Sequence, residues 1–174
     1  AEAHDGHHHE ADPHIWLSVT NAIQMAKNIY HGLCQAYPQH KETFQANMNK
    51  LMTKLQALDA YAQQQLRELS CRELITFHDG FGYLAQAYEL SILASVEEES
   101  GSEASAAELI HLIEEVQTHH LPAIFTEAMG SVSAAQIIAA ETGTAVFTLD
   151  MAMHGDSYFS AMYHNINTLK GALE

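Results

Sequence analysis

Imidazole and carboxylate dominate the chemistry open to this 174-residue chain, which holds 13 His and 22 Asp or Glu. Three of these groups, His14, His78 and Asp150, stand where a site could form. His78 and Asp150 each follow a short apolar run that reads as a strand, residues 74–77 and 145–149. In parallel sheets ligands collect at the carboxyl ends of the strands. Two imidazoles and one carboxylate suit a borderline divalent cation such as zinc. A lone His at a strand end serves equally as a capping or hydrogen-bonding group, so position alone leaves both readings open. Glu127 ends a third such run and faces the same mouth, where support of a ligand His is its expected role.

A second histidine signal lies at the start. His4, His7, His8, His9 and His14 crowd the first fourteen residues among Glu2, Asp5, Glu10 and Asp12. A short His/acid tract with Gly cannot fold alone, and its physical use is labile metal binding, with His7, His8 and His9 as auxiliary ligands. A tag or spacer is the alternative. The charge balance points the same way. From Glu73 to Leu169 there is no Lys or Arg, while fourteen carboxylates occur. Such a segment attracts cations, although most of these groups, Glu97, Glu98 and Glu99 among them, read as a solvated acidic surface.

The net charge of -15 excludes a nucleic-acid binder of the usual kind, because little here could neutralise phosphates. A 47% apolar content with 3 Pro and 9 Gly excludes a disordered or collagen-like chain. No apolar stretch approaches the roughly 20 residues that span a bilayer. The opening residues do not read as a secretory signal, so a mature product or a fragment is expected.

The elements that must position these groups follow from periodicity. Ser18 is placed to cap a helix whose apolar residues recur from Val19 to Tyr37, and Pro38 ends it. A second, long helix is expected over residues 41–69, carrying Phe44, Met48, Leu51, Leu55, Leu58, Ala62, Leu66 and Leu69 on one stripe. Beyond it, short runs at 74–77, 91–94, 123–125 and 145–149 alternate with helical segments at 81–88, 104–118, 133–141 and 157–172. That β-α-β-α alternation predicts an α/β fold, a small parallel sheet of about four strands flanked by helices. Gly80-Phe81-Gly82 lacks the third Gly of a nucleotide loop, and Met25, Met48, Met52, Met151 and Met153 read as packing, not copper ligands. His31, His40, His111, His119, His120 and His164 read as surface or helix-end groups, with His154 an outer candidate near Asp150. Cys34 and Cys71 could pair in an oxidising compartment.

Several separate words of the sequence resemble one family. Asp12-Pro13-His14-Ile15-Trp16, Phe77-His78-Asp79-Gly80-Phe81-Gly82-Tyr83 and Gly155-Asp156-Ser157-Tyr158-Phe159 are similar to motifs of the ZnuA/TroA-type metal-binding receptors of bacterial ABC importers. Ile124-Phe125-Thr126-Glu127, Thr142-Gly143 and Leu149-Asp150 follow in the family's order, so the resemblance covers essentially the whole chain.

The resemblance implies a clamshell of two α/β lobes joined by a long helix, with the metal between them. The chain would supply its C-terminal half: a mobile His/acid loop (1–12), a helix of the first lobe (13–39), the linker helix (40–70) and the C-terminal lobe (71–174). A first lobe with its own ligand His is then expected to precede it. Carried over by motif, His14 and His78 are ligands and Asp150 is a third or fourth. Manganese-type relatives have Glu at the position of His78, so Zn²⁺ is expected ahead of Mn²⁺. Two departures stand out: Met151 follows Leu149-Asp150 where the family usually has Pro, and Val19 follows Ser18 where Pro is common.

The function implied is zinc capture in the periplasm, or at the bacterial surface on a membrane anchor, for delivery to an ABC transporter permease, with no catalysis. Two rivals come from other classes. One is a zinc hydrolase with Glu127 as base, against which no His-Glu-x-x-His motif occurs. The other is a zinc buffer or adhesin-like lipoprotein. The first helix would pack on the first lobe, so without it the apolar face should be exposed, paired in a homodimer or domain-swapped.

Overall fold

A computed structural model describes residues 12–96, 104–128, 132–153 and 157–174. His4, His7, His8, His9, Glu97, Glu98, Glu99, His154, Gly155 and Asp156 lie outside the described residues.

A 3-10 turn, Ile15–Leu17, opens the described chain and leads into helix α1, Val19–Ala36. Ser18 caps α1 as its sequence position predicts, its hydroxyl accepting from the Asn21 N–H at 3.3 Å. Tyr37 precedes Pro38, which disfavours helical backbone there. A three-residue turn, Pro38–His40, then reverses the chain into α2, Lys41–Gln65. At 25 residues α2 is about 38 Å long.

The apolar stripe of α2 continues through Leu66 and Leu69, yet the helix stops at Gln65. Arg72 supplies the reason. Its guanidinium donates to the carbonyls of Leu66 (3.1 Å) and Arg67 (2.7 Å), which an ending helix leaves unpartnered, and to that of Tyr88 (3.1 Å).

The α/β unit follows as β1 (Glu73–Thr76), α3 (Gly82–Ala87), β2 (Ser91–Ser95), α4 (Ala106–His119), β3 (Ala123–Glu127), α5 (Ser133–Thr142), β4 (Ala145–Leu149) and α6 (Tyr158–Leu173). The four strands form one parallel sheet in the order β2-β1-β3-β4. Strand period two splits the core. Leu74 and Phe125 point into a cluster with Leu58 of α2, Leu84 of α3 and Met162 and Leu169 of α6. Their neighbours Ile75 and Ile124 point into the opposite cluster with Leu112 and Val116 of α4 and Ile138 of α5. Both faces are thus covered, as a parallel sheet requires.

Parallel pairing sets the carboxyl ends of the strands along one edge. Thr76 of β1 pairs with Phe125 of β3, and Glu127 of β3 pairs with Leu149 of β4. His78, Glu127 and Asp150 therefore emerge at one edge of the sheet. At the opposite edge His119 stands 2.9 Å from the carboxylate of Glu73, a helix-end role as expected. Cys34 and Cys71 are free thiols, so the pairing considered from sequence is not made. Cys71 instead points its sulfur at the Glu73 carbonyl, 3.3 Å away.

Candidate metal centre

His14 caps the 3-10 turn, which is anchored by the fully buried Leu17. Asp12 sets the imidazole's direction. Its Oδ1 accepts from the His14 backbone N–H at 2.9 Å and lies 2.7 Å from His14 Nδ1. A proton held on Nδ1 for this carboxylate leaves the Nε2 lone pair free. On its other side the ring meets Trp16 edge-on, with centroids 5.5 Å apart.

His78 follows β1 by two residues, and a carboxylate stands behind it as well, Glu127 Oε2 being 3.8 Å from Nδ1. The two rings are nearly perpendicular at 81°, with centroids 5.0 Å apart, and the two Nε2 atoms lie 3.4 Å from each other. That spacing carries chemical information. Two nitrogens bound to one tetrahedral zinc at about 2.0–2.1 Å each would lie about 3.4 Å apart. With Nδ1 of each ring protonated, His14 toward Asp12 and His78 toward the more distant Glu127, the two Nε2 lone pairs would face one point that a cation can occupy; without the ion one Nε2 can donate to the other. The His14 side chain is 15% exposed and that of His78 37%, so the point can be reached from solvent.

Gly80 is the floor beneath this pair. A Cβ added there would lie 2.6 Å from His78 Cδ2, 2.9 Å from His14 Nδ1 and 2.6 Å from the Met151 methyl. Three side chains from three separate segments thus meet over a residue that has none.

Asp150, one residue past β4, is half-buried, and its Oδ1 accepts from the Ala152 N–H at 2.7 Å. The structure therefore brings together His14 and His78, with Asp12 and Glu127 behind them, and records no contact between Asp150 and the pair. Among the described residues no three of His, Cys, Asp or Glu gather as a ligand group. His7, His8 and His9 lie outside the described residues.

Sequence reasoning missed the groups that hold these arms in place. The Trp16 indole donates to the Met151 carbonyl at 2.8 Å, and the Tyr158 hydroxyl donates to the Trp16 carbonyl at 2.9 Å. Burial, with the Asp59 carboxylate nearby, pushes the Tyr158 hydroxyl well above the ordinary tyrosine range, so at neutral pH it stays a donor. Asn165, fully buried on α6, bonds both backbone groups of Asp150. A polar residue in the apolar stripe of the last helix was the available signal.

The chain is similar to known proteins along nearly its whole length. The family profile described as "Zinc-uptake complex component A periplasmic" (ZnuA) matches residues 1–172. A Treponema pallidum chain described as a metal-binding protein is 34% identical over 170 residues, covering 96% of this chain and 54% of its own length. The zinc-binding lipoprotein AdcA of Streptococcus pneumoniae is 34% identical over 174 residues, 95% of this chain and 35% of the lipoprotein. This chain thus spans about half, or less, of these relatives. Among solved structures, that of ZnuA superposes with a TM-score of 0.84 at 32% identity, covering 94% of this chain and 61% of that one. The Zn(II)-bound ZnuA-like domain of Streptococcus pneumoniae AdcA gives 0.80 at 32% identity, covering 93% of this chain and 64% of that domain.

Proposed function

This chain belongs to the ZnuA family of zinc-uptake components, a family of solute-binding receptors and not enzymes, and from that premise we propose that it captures Zn²⁺ outside the cytoplasmic membrane for delivery to an ABC permease. The observation that carries the reading is the facing pair of Nε2 atoms at 3.4 Å, each ring backed by a carboxylate. In it His14 and His78 hold the ion, and Asp12 and Glu127 fix the tautomers. Asp150 is the third ligand, recruited from its bond to Ala152. Water or a histidine of the tract, such as His8, takes the remaining position. Imidazole in place of carboxylate at His78 favours zinc over manganese. The place of Glu127 behind His78 Nδ1 supports an orienting role over that of a hydrolytic base. No described helix is long and apolar enough to cross a membrane, and the relatives' descriptions as periplasmic or lipoprotein support capture in the periplasm or at the cell surface.

Calorimetric zinc titration of the whole chain and of a form lacking residues 1–11 tests this. One tight site should survive the deletion, with weaker additional binding lost. Loss of nearly all bound zinc would assign capture to the tract and overturn the reading.

We further propose that two copies cover each other's first helix. Between α1 and α2 runs an open apolar groove of about 570 Å³, lined by Met25, Ile29, Leu33, Phe44, Met48 and Leu51. Ile29 on its rim is 61% exposed. The same apolar patch on two copies can be buried face to face about a two-fold axis. Light scattering should report a dimer that dissociates on Ile29→Glu. A clean monomer that binds no apolar dye would contradict it.

A further inference from the structure

The segment after β4 is held in a conformation it would not choose alone. Ala152 sits at φ 55°, in the left-handed region that a residue with a Cβ rarely adopts. Such a turn persists when its surroundings over-determine it. Two contacts from outside the segment do so. On α6, Asn165 accepts from the Asp150 N–H at 2.7 Å and donates to the Asp150 carbonyl at 2.7 Å. An amide offers donor and acceptor on one rigid plane, and burying it among Ala161, Met162, Ile166 and Leu169 is costly unless both bonds are made. From the other side Trp16 donates to the next carbonyl, that of Met151, at 2.8 Å. Trp16 itself is two residues from His14 and is held to the start of α6 by the Tyr158 hydroxyl.

We propose that Asn165 and Trp16 are positioning residues that clamp the 150–152 turn, so that the Asp150 arm and the His14 arm meet a metal as one body. The proposal rests on the reading of Asp150 as a ligand. Neither residue touches the ion. Asn165 sets where the Asp150 side chain starts, and Trp16 fixes the distance from that turn to the turn bearing His14.

Three variants of the full chain test it: Asn165→Leu, Trp16→Phe and Asp150→Ala. Zinc affinity is read by competition with a chromophoric chelator, coordination geometry by the visible spectrum of the Co²⁺-loaded chain, and folding by thermal melting without metal. Trp16→Phe keeps a ring against His14 and removes the N–H. Both clamp variants should lose about 10–100-fold in zinc affinity, as removing groups behind metal ligands does. Their Co²⁺ bands should weaken and shift, while the metal-free melting point of Trp16→Phe stays near that of the parent. A merely structural residue would move the melting point and leave the Co²⁺ spectrum of the folded chain alone. If Asp150→Ala weakens zinc while both clamp variants keep parental affinity and spectrum, the clamp is overturned and the ligand reading stands. If Asp150→Ala binds zinc as the parent does, the ligand reading falls and the clamp falls with it. Should Asn165→Leu fail to fold, Trp16→Phe decides.

Discussion

Replacing both His14 and His78 with Ala should weaken zinc binding by at least about a thousandfold, equivalent to about 4 kcal/mol. The pair supplies both nitrogen ligands of the described site, and the groups left behind, Asp12 and Glu127, are carboxylates that zinc holds less selectively. The folded chain should survive the change. Both side chains are partly exposed, and removing them abolishes two facing lone pairs that only a proton or a cation reconciles. A ligand that binds only the folded form raises its melting point by mass action. Zinc should therefore raise the melting point of the parent and leave that of the double variant unmoved. Unchanged tight binding in the double variant, by chelator competition, would sink the assignment.

Gly80→Ala should damage the same site with a single methyl group. The added Cβ meets three atoms at or below 2.9 Å, closer than real Cβ contacts come. The Met151 methyl is the end of a flexible chain and can swing away cheaply. The imidazoles give way less easily, because His14 Nδ1, one of the atoms the Cβ would meet, lies 2.7 Å from the Asp12 carboxylate, and a shift of a few tenths of an ångström changes the Nε2 separation. Overpacking of this kind costs about 1–3 kcal/mol of stability, and here it falls on the donor geometry. Zinc affinity should drop by about 10-fold or more, with a modest fall in melting temperature. Gly82→Ala is the control two residues away, since its nearest neighbour would be Asp12 Oδ2 at an ordinary 3.5 Å. Equal affinities in the two variants would show that Gly80 is not the floor of the site.

Much of this arrangement was legible before any coordinates. The apolar run 145–149 between Gly143 and Asp150 matches β4 to the residue, because such a run has few alternatives. The strand-end rule singled out His78, Glu127 and Asp150, and the sheet order puts all three at one edge. What sequence concealed were the contacts made across long separations. That Asp12 would turn onto His14 depends on a 3-10 turn no periodicity announces. The early end of α2 depends on Arg72, seven residues beyond the last helical one, reaching back to its carbonyls. Asn165 sits on the same helical face as Met162 and Leu169, and a pattern reader passes over one amide in an apolar stripe. The thiols Cys34 and Cys71 show the converse, since composition invited a bond that the fold does not make.

The separation of His14 from His78 is 64 positions along the chain. In polymer language, an ion held by both is a crosslink that closes a loop of that size. A covalent disulfide closing such a loop narrows the unfolded ensemble by about 4 kcal/mol, and the logarithmic dependence on length makes the figure insensitive to detail. If the proposed capture holds, cargo and staple would be the same object: the chain would be tightest when loaded, and surrendering the ion would unfasten it.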